Sequence, residues 1–117
     1  MRADIVPGAA FPDFQLTDHM GRRRTLSELQ GEHPYLKGGN PMILVLARGH
    51  FCAKDQQQHR DLVALYPKIA VAYTQIVTIM PDAVAVMQDF REGVGAPWTF
   101  LSDTDRIVQR DLDIQEY

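Results

Sequence analysis

Three apolar runs, separated by mixed segments, set the framework of this chain. Met42-Ile43-Leu44-Val45-Leu46-Ala47 is continuous and predicts a central strand covered on both faces. Tyr73 to Met80 is β-branched and apolar and predicts a second buried strand, and Trp98 to Leu101 a short third one. Between the first two runs, Cys52 to Tyr66 lacks Gly and Pro and carries Leu62, Val63, Leu65 and Tyr66 toward its end. That pattern predicts a helix ending or kinking at Pro67. After the second run, Pro81-Asp82 opens a helix in which Ala83, Val86, Met87 and Phe90 fall on one face, and Gly93 and Gly95 close it. Ser102 and Asp105 have capping-box spacing before a last helix through Leu112. Strand and helix alternate three times, which argues for a parallel-type sheet with helices on its faces.

The N-terminal third is less regular. Val6 to Phe14, punctuated by Pro7, Gly8 and Pro12, reads as an irregular or edge segment. Phe14, Leu16 and Thr17 suit a short strand, and Asp18 to Gly21 a turn. Thr25 to Leu29 reads as one helical turn with Thr25 and Glu28 in a capping box. Gly31 to Pro41, with Gly38-Gly39-Asn40, reads as a loop bulging from the surface. There is no internal repeat and no linker, and 117 residues suffice for one small domain.

Composition narrows the function classes. With 45% hydrophobic and 23% charged residues, the chain is of ordinary globular type. A net charge of −3 does not suit nucleic-acid binding, and the one basic run, Arg22-Arg23-Arg24, is read as a solvated turn. No apolar run approaches the ~18 residues of a membrane span. Met1 to Val6 carries Arg2 and Asp4 and does not read as a signal peptide, so a cytoplasmic location is expected. A single cysteine, which cannot form an internal disulfide, agrees with that compartment.

That cysteine, Cys52, directly follows a buried strand and begins a helix. In open α/β sheets this is where ligands bind, and the free N–H groups of a helix start favour an anion such as a thiolate. A thiol of ordinary pKa is only about 3% ionised at pH 7, and making it mostly thiolate takes ~3.4 kcal/mol. A helix terminus supplies ~0.3–2 kcal/mol, so a cationic partner is also needed. Arg48 is the nearest candidate, His50 is weaker because it must be protonated, and Lys54 reads as solvated. Alternatively, Cys52 is an inert buried thiol, as free cysteines usually are. His59 lies about 10 Å further along the helix, too far for direct acid–base contact, and reads as a surface or packing residue. A metal site of His50, Cys52 and His59 matches no usual ligand spacing.

Taken together, these segments resemble the alkyl hydroperoxide reductase and thiol-specific antioxidant group, the peroxiredoxins. Val6-Pro7-Gly8 through Phe11-Pro12-Asp13-Phe14-Gln15-Leu16 is similar to the family's opening segment, and Asp18 to Leu29 to its turn and short helix. Leu46 to Cys52 resembles a strand ending in Arg-Gly-x-aromatic-Cys, and Val77-Thr78-Ile79 and Phe100-Leu101-Ser102-Asp103 resemble the second strand and the following Leu-Ser-Asp segment. The resemblance implies an α/β fold of thioredoxin-like type, a three-layer sandwich with a central sheet flanked by helices. It also implies that Cys52 is a peroxidatic nucleophile, with Arg48 and Asp55 in its site. The usual Pro seven residues before the cysteine and Thr or Ser three before it are here Val45 and Gly49. Asp55 holds the family's acidic position, and also the place of a second cysteine in a Cys-x-x-Cys motif.

The expected function is therefore a thiol-dependent peroxidase that reduces hydroperoxides through one cysteine and is restored by an external thiol, either a thioredoxin-like protein or a small thiol. The alternative is a non-catalytic redox-sensing or interaction domain with a degenerate site. A thiol–disulfide oxidoreductase fails on cysteine count. No cofactor, metal, nucleic acid or membrane partner is expected, and a homodimer is left open. The family fold continues with two more strands and a final helix, which carry a cis-proline loop and a second arginine. The resemblance thus implies that residues 1–117 are a single domain lacking those last elements.

Overall fold

Short β-branched and aromatic runs cannot satisfy their backbone polar groups alone, and this chain gathers its strands into one sheet. The computed structural model describes residues 2–9, 11–31, 39–71 and 73–114. Within them the strands are β1 (Gln15–Asp18), β2 (Arg23–Thr25), β3 (Met42–Leu46), β4 (Gln75–Met80) and β5 (Thr99–Ser102), and the helices are α1 (Leu26–Gln30), α2 (Ala53–Val71), α3 (Val84–Val94) and α4 (Ile107–Asp111). The sheet order is β2-β1-β5-β4-β3. β3, β4 and β5 run parallel, with Leu44 opposite Val77 and Thr78 opposite Phe100, while β1 pairs antiparallel with both β2 and β5. The α/β, three-layer, thioredoxin-like architecture expected from the sequence is the one observed, with a mixed sheet.

Alternation along the strands divides the core in two. On one face Val45, Ile76, Met80 and Phe100 meet Met87 and Phe90 of α3 and Leu62, Tyr66 and Ile69 of α2. On the other, Leu16, Val77, Ile79 and Leu101 meet Leu26 of α1, Val108 of α4 and Leu112, which ends that helix. The capping box forms as expected, with Thr25 Oγ1 accepting from the Glu28 amide and Glu28 Oε1 from the Thr25 amide. Gly95 ends α3 in the left-handed conformation at φ 74°, where glycine alone escapes a steric cost.

Several expectations are corrected. Of the two readings at Pro67, an end or a kink, the end does not occur: α2 continues to Val71, because the seam Leu62-Tyr66-Ile69 still packs on the core beyond the proline. That burial outweighs the ~3 kcal/mol cost of an interior proline. The basic run is not all turn: Arg23 and Arg24 lie in β2, whose pairing with β1 is set by the buried Asp18 accepting the Met20 and Arg22 amides. β3 is the edge of the described sheet rather than its centre, and β4, between β3 and β5, is buried at every residue after Gln75. On α3 the inward face holds Met87 and Phe90, with Val94 partly buried beside them, while Val86 is exposed and Ala83 is the N-cap. The last helix is capped from Asp103, whose carboxylate accepts the Ile107 and Val108 amides. Ser102 instead donates to the Asp82 carbonyl, so the Ser102–Asp105 box does not form. Most of the Gly31–Pro41 loop lies outside the described residues.

Candidate active site

The segment from Ala47 to Cys52 joins the end of β3 to the start of α2. Neither element can pair its amides, so side chains and turns do. Ala47 N–H donates to the Ile79 carbonyl at 2.9 Å, extending the β3–β4 pairing by one residue. The Asp55 carboxylate, buried in the first turn of α2, accepts the Arg48 amide at 2.6 Å and the Gly49 amide at 3.2 Å. Asp82, just past β4, accepts the His50 amide at 2.9 Å through one oxygen and pairs with His50 Nδ1 at 2.7 Å through the other. Cys52 N–H closes a turn onto the Gly49 carbonyl at 3.1 Å, and Gln56 Nε2 donates to the His50 carbonyl at 3.1 Å. Two carboxylates from different elements therefore hold the approach to the cysteine from either side.

Cys52 is a free, partly exposed thiol. Its carbonyl accepts the Gln56 amide, so it is the residue flanking the first turn of α2, whose leading amides have no intrahelical acceptor. A thiolate there gains ~0.3–1 kcal/mol from the helix end at a surface position. Gly49, three residues earlier, has φ 147°, and a Cβ built on it would lie 2.7 Å from Phe51 Cε1. The Phe51 ring thus occupies the space where a Thr or Ser side chain would start.

Of the residues singled out from sequence, Asp55 meets the Cys52 loop directly, through backbone amides. Arg48 contributes its own amide to that clamp. Arg48 is exposed and lines a cavity of about 240 Å³ with Leu46, Ile79, Met80 and Val108, and its guanidinium has no hydrogen-bond or ion-pair partner among the described residues. His50 is tied to Asp82, and Lys54 is exposed. Asp82 and Gln56 were not singled out from sequence. Asp82 had been read only as the start of a helix, and nothing local signals its pairing with a residue 32 positions earlier.

Of the two readings of His59, surface or packing, the second holds: it is wholly buried. Nδ1 lies 2.6 Å from the Asp55 carbonyl oxygen and Nε2 2.9 Å from Thr78 Oγ1, which also accepts Trp98 Nε1–H at 3.0 Å. Burial pushes the imidazole below its ordinary pKa. Among the described residues, no group of three or more His, Cys, Asp or Glu side chains is arranged to hold a metal ion, and no helix is long and apolar enough to cross a membrane.

A strand-end cysteine at a helix start, on a thioredoxin-like sheet, can be compared with known proteins. Among solved structures, the chain is similar to the peroxidoxin BcpB of Mycobacterium tuberculosis, at 22% identity and a TM-score of 0.78 over 91% of this chain and 64% of that one. It is similar to the bacterioferritin comigratory protein of Xanthomonas campestris, at 19% identity and a TM-score of 0.73 over 88% of this chain and 60% of that one. A mutant of the peroxiredoxin 6 of Arenicola marina gives 16% identity and a TM-score of 0.79 over 93% of this chain and 50% of that one. At these identities the likeness is one of fold, and the chain spans less than two thirds of each relative's length. Among curated proteins none matches by sequence. The AhpC/TSA family model matches residues 7–117, the opening segment, the cysteine loop and the Leu-Ser-Asp segment included. The chain belongs to the AhpC/TSA family.

Proposed function

We propose that this chain carries the peroxidatic half of a thiol peroxidase that uses Cys52 as its one redox sulfur. The Cys52 thiolate attacks the terminal oxygen of a hydroperoxide. The S–O bond forms as the O–O bond breaks, the sulfur is oxidised to a sulfenic acid, and the leaving alkoxide takes a proton and departs as an alcohol, or as water from hydrogen peroxide. One external thiol then displaces water from the sulfenic acid to give a mixed disulfide. A second attacks that disulfide and releases the Cys52 thiolate with an external disulfide. With one cysteine in the chain, both reducing thiols come from outside it. A cytoplasmic setting suits this cycle, since thiols are kept reduced there.

The observation that carries the reading is the double carboxylate clamp, which holds residues 48–50 so that Cys52 is presented at the first turn of α2. Family membership supports the same chemistry, and the Xanthomonas campestris relative is described as having alkyl peroxide reduction activity. A second reading, a degenerate redox-sensing or interaction domain, is favoured by Gly49, which offers no hydroxyl, and by Arg48, whose side chain makes no hydrogen bond or ion pair among the described residues.

Trapping the sulfenic acid at Cys52 after hydrogen peroxide, with rates followed against pH, separates the two. The peroxidase reading expects oxidation faster than that of free cysteine at equal thiolate fraction. A rate equal to free cysteine's establishes the second reading.

A further inference from the structure

On α2, Asp55 and His59 are buried, while Cys52, Gln56 and Arg60, each four residues from the next, form a row along the flank that faces α3. Where that flank meets α3 lies a groove of about 500 Å³, within the size range of small-molecule sites. Its head, lined by His50 and Gln56, adjoins the cysteine loop: the Gln56 amide donates to the Cys52 carbonyl, and Gln56 Nε2 to the His50 carbonyl. Further along, Val86 and Phe90 of α3 make the lining apolar. Two exposed charges of opposite sign complete it, Arg60 from α2 and Asp89 from α3. Neither side chain has a hydrogen-bond or ion-pair partner among the described residues, and the two do not pair with each other.

A ligand that fills this groove meets a cation from one helix, an anion from the other and apolar surface between them. The spacing sets its length. Cys52 and Arg60 are ~12 Å apart along a helix axis, and the arginine side chain tilts back toward the N-terminus and shortens that span. An extended peptide covers ~3.3–3.6 Å per residue, so two or three residues reach from the Cys52 sulfur to the guanidinium. We propose that the α2/α3 groove seats the external thiol that reduces Cys52, and that this thiol is a short zwitterionic peptide, with its carboxylate on Arg60, its ammonium on Asp89 and its sulfur at Cys52. The chemistry is the first reducing step given above: the S–S bond forms as the S–O bond of the sulfenic acid breaks, and the thiol proton leaves with the hydroxyl as water. That role rests on the peroxidase reading, whereas the binding does not.

Two measurements on the full chain test this. NMR titration of the reduced protein with S-methylglutathione, which carries the charges but no thiol, reads binding alone. Saturable shifts are expected at the Gln56, Arg60, Asp89 and Gly93 amides. Gly93 lines the groove, and a Cβ built on it meets nothing, so Gly93→Leu obstructs the groove without a backbone clash and should abolish the shifts. Arg60→Gln should raise the half-saturating concentration about threefold to fivefold, the scale of one exposed ion pair. In the second measurement, protein oxidised by hydrogen peroxide is mixed with glutathione or with 2-mercaptoethanol at equal thiolate concentration. Glutathione is expected to react about tenfold faster, the product of two such pairs, and the ratio of the two rates should fall to about one in Gly93→Leu. Absent or unsaturable shifts, or shifts that survive Gly93→Leu, overturn the proposal. Equal rates for the two thiols, or reduction by a thioredoxin-like protein alone, do the same. Saturable binding in the groove with no sulfenic acid formed at Cys52 would keep the binding site and remove the peroxidase reading.

Discussion

On the α2/α3 face of the sheet, Met80, Met87 and Phe100 are entirely out of water and the polar atoms of His59, Thr78 and Trp98 satisfy one another. On the α1/α4 face, β4 and β5 are equally well covered, but β3 is not. Leu46 is 38% exposed, Leu44 is half-buried, and cavities of about 240 and 320 Å³ lie toward the two ends of the strand, lined by Leu46 and Ile79 and by Met42 and Leu44 respectively. The difference separates two tasks. The closed face is where the cysteine loop is anchored, since Asp55 is tied to its buried network. The open face holds the apolar side chains of an edge strand, with Arg48 beside them at the end of β3.

The contrast can be broken by mutation. Phe100→Ala should cost about 3–5 kcal/mol in urea unfolding, because the cavity it leaves is enclosed on all sides. A cost near that of a surface change would mean that this face is looser than it looks. Gly49→Thr, which restores the hydroxyl of the usual family motif, should destabilise by about 1–3 kcal/mol through its left-handed φ and the Phe51 ring. It should also give no gain in the peroxide rate, and a faster, stable variant would show that the loop rearranges freely. Asp55→Ala unpairs two amides and should lose about 1–3 kcal/mol together with peroxide reactivity. Retention of both would remove the clamp from the site.

Acidification probes the closed face with no mutation. Burial lowers the His59 imidazole, and burial together with Arg91 lowers that of His19, so the unfolded chain binds more protons than the folded one below pH 6.5. Stability is therefore full above the unfolded value and falls as pH drops through 6.5, with a slope of at most about 1.4 kcal/mol per pH unit for each group. A flat profile between pH 7 and 5 would contradict the burial of His59. The smallest effect is expected on the open face, where Leu46→Gln should change stability by about 0.5 kcal/mol or less. A larger loss in the same unfolding assay would show that β3 is covered in solution.

Much of this was legible beforehand, and the boundary follows the range of the interactions. The Thr25–Glu28 box formed as read because both partners sit within one turn. β4 and β5 were visible because burial on two faces selects continuous apolar runs, and β3 because its run is equally continuous although it lies at the sheet edge. Cys52 at a strand-to-helix junction was visible for the same reason. The helix beyond Pro67 was missed because local propensity opposes it and only contact with the core, through Ile69, offsets that cost. The cap on α4 was misplaced by one residue type and position: Asp103, not Ser102, turned toward the amides once Ser102 found the Asp82 carbonyl.

By itself, then, the amino-acid order determined the element order, the sheet-forming segments and the place of the one cysteine, Cys52, at a strand-to-helix junction. Those properties are carried by composition and by neighbours within a few positions. The tertiary structure alone decided what holds that sulfur's loop. Asp82 reaches His50 across 32 positions, Thr78 reaches His59 across 19, and Trp98 reaches Thr78 across 20. Side chains so far apart in sequence carry no mutual signal in one chain, and only the parallel pairing of β3, β4 and β5 brings them within hydrogen-bonding distance of one another.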